Sequence, residues 1–275
     1  MSAMSDLKEL IQRRSVVRNL LAVEMKVGHR DKVLGNLWQL LDPFLLMLVY
    51  YLIWSVILGS RGPDFMAYIL SGIITFGFFQ GAVVRSSVIL RSQVRLVQEV
   101  YFPRSALPTA VTLARLYDFL WSLAALALVL IYLLFRQSDP AVAARITHPL
   151  AFGWNALWLP FAMAALFMFS LGFSYLSAIA GGLFRDTENI LRFTFRLWFY
   201  MSPLFYYEED MPRRIFFFYR MNPFTHFFRA IRNALIYDKP PTLDGTLFIV
   251  GLSLAAVVIG FWVFSRYEGS VVKQL

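Results

Sequence analysis

Long apolar runs, each nearly free of charged residues, dominate this sequence. The clearest cover residues 43–59, 65–84, 119–135, 151–182 and 247–265. An α-helix of about 20 such residues crosses the roughly 30 Å hydrocarbon core of a bilayer, whereas a soluble domain would expose several such faces and aggregate. The runs are continuous and do not alternate as the strands of a β-barrel do. The sequence therefore predicts an all-α integral membrane protein.

The length of 275 residues leaves room for about six such helices and short connections. The predicted spans are residues 42–59, 65–84, 109–135, one that ends at 181–182, one near 197–207, and 243–265. The uncharged part of the fifth is only about half a membrane crossing long, so this span either recruits Arg192 and Arg196 or is broken. The stretch 146–184 is too long for one crossing, and we interpret it as an interfacial lead-in followed by a single span.

Residues 208–241, between the fifth and sixth spans, are aromatic and basic and are broken by prolines. We expect two short re-entrant helices here, at 216–219 and 224–236, which dip partway into the outer leaflet. Ahead of the first span, residues 6–25 carry apolar residues at helical spacing, which is typical of an amphipathic helix in the membrane interface. The predicted organisation is an interface helix with its linker, 1–41, and a six-span domain, 42–275.

The net charge of +9 is concentrated in the segments that flank the spans. Because Lys and Arg accumulate in cytoplasmic segments, this pattern places both termini in the cytoplasm and does not require a nucleic-acid partner. Arg14 and Arg18 interrupt the apolar stripe of the N-terminal helix, where they are expected to reach lipid phosphates or an acidic partner. A simple interfacial anchor is the alternative interpretation of this helix.

The sequence lacks motifs that would indicate ATP binding or metal binding by this chain. There is no G-x-x-x-x-G-K-[ST] phosphate loop and no cysteine, and the three histidines lack metal-ligand spacing. Asp118 is the one candidate for a coupling carboxylate, but Arg115 lies three residues before it, so a helix-end ion pair is the favoured interpretation. Active transport by this chain would therefore use an ion gradient or a separate ATPase.

Three segments, in order along the chain, resemble the permeases of type-2 ABC exporters that move polysaccharides. Residues 34–43 read LGNLWQLLDP and are similar to the family's L-G-x-x-W-x-x-L-x-P entry to the first span. Residues 102–108, FPRSALP, resemble its F-P-R-x-x-L-P segment. The sequences SPLFY at 202–206 and NP at 222–223, followed by Arg229, match its S-P-x-x-Y and N-P…R pattern. The resemblance is closest to wall teichoic acid and O-antigen export permeases.

This resemblance implies a homodimer in the bacterial plasma membrane, joined by two copies of an ABC ATPase that would carry ATP and Mg²⁺. This chain would bind no metal or cofactor itself, and its substrate would be an undecaprenyl-linked polymer. Residues 85–102 would contain the helix that docks on the ATPase, while the N-terminal helix with Arg14 and Arg18 would move with that subunit. An ordinary basic loop held by lipid phosphates is the alternative. The expected coupling residues are Arg91, Arg95, Glu99, Tyr101, Phe102 and Pro103.

Aromatic residues on three spans are candidates for a path along which sugar rings slide. They are Tyr50, Tyr51, Trp54, Phe76, Phe79, Phe195, Trp198, Phe199 and Tyr200. Arg192 and Arg196 would contact phosphate groups, or they would pair with Asp186 and Glu188 at the cytoplasmic surface. A drug or small-lipid permease of the same superfamily, an ion-driven carrier and a non-catalytic membrane scaffold remain as alternative functions.

Overall fold

The structure is a computed structural model that describes residues 8–274 except 11, 30–34, 36, 213 and 215. Within that part of the chain 80% of the residues are helical and there is no β-strand, which confirms the all-α prediction. The α-helices are α1 Arg14–His29, α2 Leu37–Tyr51, α3 Phe65–Ser92, α4 Val94–Glu99, α5 Ala106–Arg136, α6 Pro140–Ala143, α7 Leu159–Leu183, α8 Thr187–Met201, α9 Phe216–Met221, α10 Pro223–Leu235 and α11 Leu243–Val272. A π-helix, Leu52–Ile57, continues α2, and 3₁₀ turns occupy Trp154–Trp158 and Glu208–Asp210.

Five helices of the described chain are long and apolar enough to cross a membrane. They are Leu37–Ile57, Phe65–Ser92, Ala106–Arg136, Trp154–Leu183 and Leu243–Val272. Helices α3 and α11 extend beyond the spans expected at 65–84 and 243–265, because hydropathy marks only the apolar part of a helix whose hydrogen bonds continue into charged turns. The stretch 146–184 contains one long helix, α7, which follows directly from its 3₁₀ lead-in.

The predicted fifth span corresponds to α8, which has only 15 residues and is about 22 Å long at 1.5 Å per residue. It is therefore not one of the five spanning helices, and a sixth crossing stays a prediction. Helix α8 ends at Met201, because the next residue, Ser202, precedes Pro203 and has an extended backbone. Helices α9 and α10 are close to the short helices expected at 216–219 and 224–236, but their depth in a membrane stays a prediction.

Helix α3 lies at the centre of the molecule, where α5, α7 and α8 pack around it. In the most apolar stretch of α3, 83% is buried inside the protein. In the corresponding stretch of the first spanning helix, only 11% is buried. Small residues permit the closest contacts between helices, as is usual in membrane proteins. A Cβ atom added to Gly181 of α7 would lie 1.7 Å from the backbone oxygen of Ser87 of α3. A Cβ atom added to Gly260 of α11 would lie 2.2 Å from the backbone oxygen of Gly172 of α7.

The N-terminal helix α1 packs on protein along one side. Its Val16, Val17 and Leu20, together with Leu10 before it, pack against a buried hydrophobic cluster. This cluster contains Phe102 and other residues from α3, α5, α7 and α11. Because part of this stripe contacts protein, it is not free to face lipid along its whole length. The predicted location of α1 in a membrane interface stays a prediction, and most of the linker that joins it to α2 lies outside the described residues.

Candidate functional site

The segment between α3 and α5 has a buried base and an exposed tip. Its short helix α4 is anchored by Val97, and the chain after it is anchored by Phe102 and Pro103, all of which are buried. The tip between these anchors exposes Val100 by 50% and Tyr101 by 69%. The segment therefore presents two neighbouring exposed side chains on a turn that is held by buried residues at both ends.

The predicted coupling residues separate into two groups at this segment. Arg95 and Glu99 lie exposed beside Tyr101 at the tip, while Phe102 and Pro103 form the buried base. Arg91, at the end of α3, lies apart from the tip. Its Nη2 donates to the backbone oxygen of Arg185 at 3.4 Å and so connects this segment to the turn between α7 and α8.

Helix α1 lies against the same segment. Arg13, directly before α1, donates to the backbone oxygen of Tyr101 at 3.3 Å and places its guanidinium 5.3 Å from the centre of that ring. Between the two elements is an apolar cavity of about 360 Å³ whose walls include Leu20, Leu96 and Phe102. The N-terminal segment therefore lies beside the turn at Tyr101, and the two segments line one cavity.

A second contact ties α1 to α3. Arg85 donates from Nε and Nη2 to the two carboxylate oxygens of Glu24 at 3.1 and 3.0 Å. The side chain of Glu24 is only 9% exposed. No local sequence pattern relates the two residues of this pair, because they lie 61 residues apart. Arg14 and Arg18 are exposed and border an open concavity away from this pair.

Four of the predicted path aromatics lie in the protein core. Phe76, Phe79 and Phe195 are at most 3% exposed, and Trp198 is half-buried beside them. The Phe79 ring is 5.2 Å from Phe195 and 5.1 Å from Phe224 of α10. In this conformation these rings contact one another, so the structure does not bring them to a surface that a substrate reaches.

The other path aromatics lie where α2 meets α8. The hydroxyls of Tyr50 and Tyr200 are 3.4 Å apart, and the Phe205 ring lies 4.4 Å from Tyr50 and 5.5 Å from Phe199. Tyr200 is 56% exposed. Tyr51 and Trp54 are half-buried at the junction with the π-helix Leu52–Ile57, and short π-helical segments occur frequently at functional sites.

Three arginines surround one cavity of about 330 Å³ at the side of α3. Arg85, Arg115 and Arg192 line it together with Gly77 and Gly81, whose missing side chains leave room for it. Of the two alternatives for Arg192, the structure contains the ion pair, with Nη2 donating to Glu188 at 2.6 Å. Arg196 is exposed, and none of the described carboxylates pairs with it.

Asp118 forms the ion pair that was favoured for it. Arg115 donates to it at 2.9 Å, and the amide of Gln39 donates to its other oxygen at 2.5 Å. Ser122 also donates to the backbone oxygen of Gln39 at 3.0 Å. This cluster joins the start of α2 to α5, so Asp118 has a structural role in this conformation. In the described part of the chain, no cluster of three or more His, Asp or Glu side chains could hold a metal ion.

The S-P and N-P sequences, at 202–203 and 222–223, connect the end of α8 to the start of α10. Asn222 accepts from the backbone N–H of Phe224 at 3.0 Å and so caps α10, and it also accepts from the indole N–H of Trp198 at 3.2 Å. Its amide donates to the hydroxyl of Ser202 at 3.0 Å. The S-P and N-P sequences are therefore bonded to each other, and they fix the angle at which α10 returns toward the core.

Asp64, directly before α3, is a buried carboxylate that holds together the loops at the N-terminal end of this helix. It accepts from the backbone N–H groups of Thr147 and His148 and from the Tyr207 hydroxyl, each at 3.1 Å. Burial, and then the negative charge of Asp64, raises the pKa of Tyr207 above its ordinary value, so this hydroxyl remains a donor. A single Asp before a span gives no sequence signal for this role, because all its partners are distant in the chain.

Comparison with known proteins gives a consistent result. The chain is 29% identical to the O-antigen export system permease protein RfbA of Myxococcus xanthus, over 95% of this chain and 96% of that protein. It is also 21% identical to the O-antigen export system permease protein RfbA of Klebsiella pneumoniae, over 89% of each chain. Residues 16–236 match the family described as ABC-2 type transporter. Because this match covers most of the sequence, the chain belongs to the ABC-2 type transporter family.

Proposed function

We propose that this chain is the transmembrane subunit of an ATP-driven exporter that moves a lipid-linked polysaccharide across the bacterial plasma membrane. The observation that carries the proposal is its similarity, over 95% of its length, to a permease named for O-antigen export. An O-antigen-like glycan is therefore favoured over wall teichoic acid as the polymer. The undecaprenyl carrier is part of the proposal.

The energy source in this proposal is a separate ABC ATPase, with ATP and Mg²⁺ bound on that subunit. The sequence has no phosphate loop, and the anchored segment with the exposed tip at Val100 and Tyr101 offers a place for such a subunit to dock. The contact between this tip and the N-terminal segment supports this role. A push at Tyr101 would reach Arg13, directly before α1, and α1 would pass it to α3 through the pair of Glu24 with Arg85. In this orientation both termini are cytoplasmic.

A homodimer completes the proposed exporter. The first spanning helix is almost unburied within one chain, and α8 beside it exposes apolar residues that include Phe193, Leu197 and Met201. A second copy placed on these faces would put Tyr50 and Tyr200 at the boundary between two subunits, where a polymer would pass. Arg196 lies exposed on the same helix and would meet phosphate groups of the substrate, and Arg192 would join it only by exchanging its ion pair with Glu188 for the substrate.

The experiment is purification of the tagged chain from its native membrane, with identification of co-purifying proteins and of the polymer that accumulates when the chain is depleted. We expect an ABC ATPase in stoichiometric amount and a lipid-linked glycan retained inside the cell. Accumulation of a small lipid or drug instead would favour the alternative permease function. Export that continues without any ATPase would refute the proposal in favour of an ion-driven carrier.

A further inference from the structure

A cavity of about 210 Å³ lies between the start of α3, the chain after α8 and the end of α10. In the proposed orientation it is on the external side. Its walls combine the rings of Tyr207 and Tyr237 with the polar side chains of Arg232, Asn233 and Lys239. A single water needs about 10–15 Å³ of such space, so this cavity is large enough for a ligand with many heavy atoms.

Arg232 is the unusual member of this cavity, because its side chain is charged and yet only 4% exposed. Its Nε donates to the Ser71 hydroxyl at 3.2 Å, and its Nη2 donates to the backbone oxygens of Tyr68 and Pro203 at 3.0 and 3.1 Å. The guanidinium also lies 3.3 Å from the centre of the Tyr68 ring. All of these partners are neutral, and these bonds do not use Nη1.

Buried charges in proteins are usually paired, but no carboxylate of the described residues forms an ion pair with Arg232. The two acidic residues at the cavity face other residues of its wall. Glu208 accepts two bonds from Arg229, at 2.9 and 2.5 Å, and Glu209 lies 3.6 Å from His148. Arg232 is therefore held in place by its neutral partners, while its charge remains available to an anion in the cavity.

The remaining walls suit a sugar. Among the described residues, nothing hydrogen-bonds to the Asn233 side chain, which lines the cavity. An amide both donates and accepts, as a sugar hydroxyl does. The rings of Tyr237 and His148, 5.9 Å apart, supply apolar surface for the C–H face of a pyranose. The planar guanidinium of Arg232 matches the geometry of a carboxylate or phosphate group.

We propose that this cavity binds one sugar residue that bears a carboxylate or phosphate group, with the oxyanion at Arg232 and a hydroxyl at Asn233. The source of that residue, the exported chain as it leaves the membrane, rests on the proposed function. The site itself does not, because it is defined by a charge without a counter-ion and by a cavity of a suitable size.

The test is ligand binding to the purified chain in nanodiscs of neutral phosphatidylcholine, measured by saturation-transfer NMR. We expect glucuronic acid to bind saturably and glucose to bind about tenfold more weakly. Inorganic phosphate has no carbon-bound proton to observe, so its affinity is measured by its displacement of glucuronic acid, and we expect this affinity also to be about tenfold weaker. Arg232→Lys keeps the positive charge but loses the planar guanidinium, which can donate two parallel hydrogen bonds to a carboxylate. We expect about a tenfold loss of affinity for glucuronic acid. If that variant does not fold, Asn233→Ala is the second test, with an expected loss of about threefold to tenfold.

Asn189→Ala makes the same change on an exposed part of α8, outside the cavity, and should leave binding unaltered. Phosphate that binds as tightly as glucuronic acid would overturn the sugar assignment. Absence of saturable binding, or full affinity in Asn233→Ala and Arg232→Lys, would overturn the site. These failures are distinct from failure of the exporter proposal, because co-purification of an ATPase is measured independently of this cavity.

Discussion

The contact between Arg85 and Glu24 should control how firmly α1 is held to the transmembrane helices. Replacing Arg85 with Gln removes two charged hydrogen bonds and leaves Glu24, which is 9% exposed, without a counter-ion. Breaking a buried pair costs about 3–5 kcal/mol and breaking an exposed pair costs about 0.2–1 kcal/mol. Arg85 is 26% exposed, so we expect an intermediate cost of about 2 kcal/mol.

The assay is hydrogen exchange, measured by mass spectrometry on peptides from α1. A loss of about 2 kcal/mol should speed exchange about thirtyfold in these peptides if they open as a local unit. Glu24→Gln should have a smaller effect, about fivefold for roughly 1 kcal/mol, because the arginine that it leaves behind is more exposed and borders a cavity. In the double variant the two effects should not add, since both residues belong to one contact.

Arg136→Gln is the matched control. This arginine lies 3.7 Å from Asp139 in an exposed pair at the far end of α5, so its loss should leave the exchange of α1 peptides unchanged. Unaltered exchange in Arg85→Gln, or strictly additive effects in the double variant, would show that the pair does not hold α1 in place. The mechanical route from α1 to α3 would then have to be abandoned.

Three further predictions concern other parts of the molecule. Val100→Asp should abolish stimulation of the partner's ATPase without loss of folded protein, because Val100 is 50% exposed at the tip of the coupling segment. Gly181→Val should prevent stable folding, since its Cβ would meet the backbone of Ser87, whereas Gly77→Val should fold normally because nothing lies within 4 Å of the added carbon. Tyr207→Phe should reduce the loss of stability above about pH 10. Because the pKa of Tyr207 is raised on folding, the unfolded chain loses this proton more readily than the folded protein does. Its contribution to the free energy of unfolding is therefore complete below that pH and is lost progressively above it.

Each of these predictions has a readout that would contradict it. Ala141→Asp, at an exposed site between α5 and α7, should leave ATPase stimulation intact, and an equal loss there would show a general effect of the added charge. Normal thermal unfolding of Gly181→Val would disprove the close contact between α3 and α7. For Tyr207, unfolding curves with identical pH dependence in the variant and the parent protein would show that its hydroxyl does not titrate differently on folding.

The aromatic residues show how far a sequence pattern reaches. Phe79 and Tyr200 lie in similar apolar, aromatic segments, and their sequence context does not distinguish them. In the structure Phe79 is fully buried, whereas Tyr200 is 56% exposed. The difference arises because α10, more than 140 residues after Phe79 in the chain, returns and places Phe224 over Phe79. Only residues distant in the sequence decide which rings remain exposed.

The sequence by itself determined the membrane class, the positions of the long helices, the absence of a phosphate loop and the family. These properties follow from local hydropathy and from short motifs. Burial was decided by the tertiary structure alone. The first two spanning helices are similarly apolar, yet 11% of the most apolar stretch of the first is buried and 83% of that of the second. In a membrane, lipid and protein neighbours are equally apolar, so hydropathy shows that a helix lies in the bilayer but not what it contacts there. For the same reason the contact of Glu24 with Arg85 and the neutral surroundings of Arg232 became visible only once distant segments were brought together.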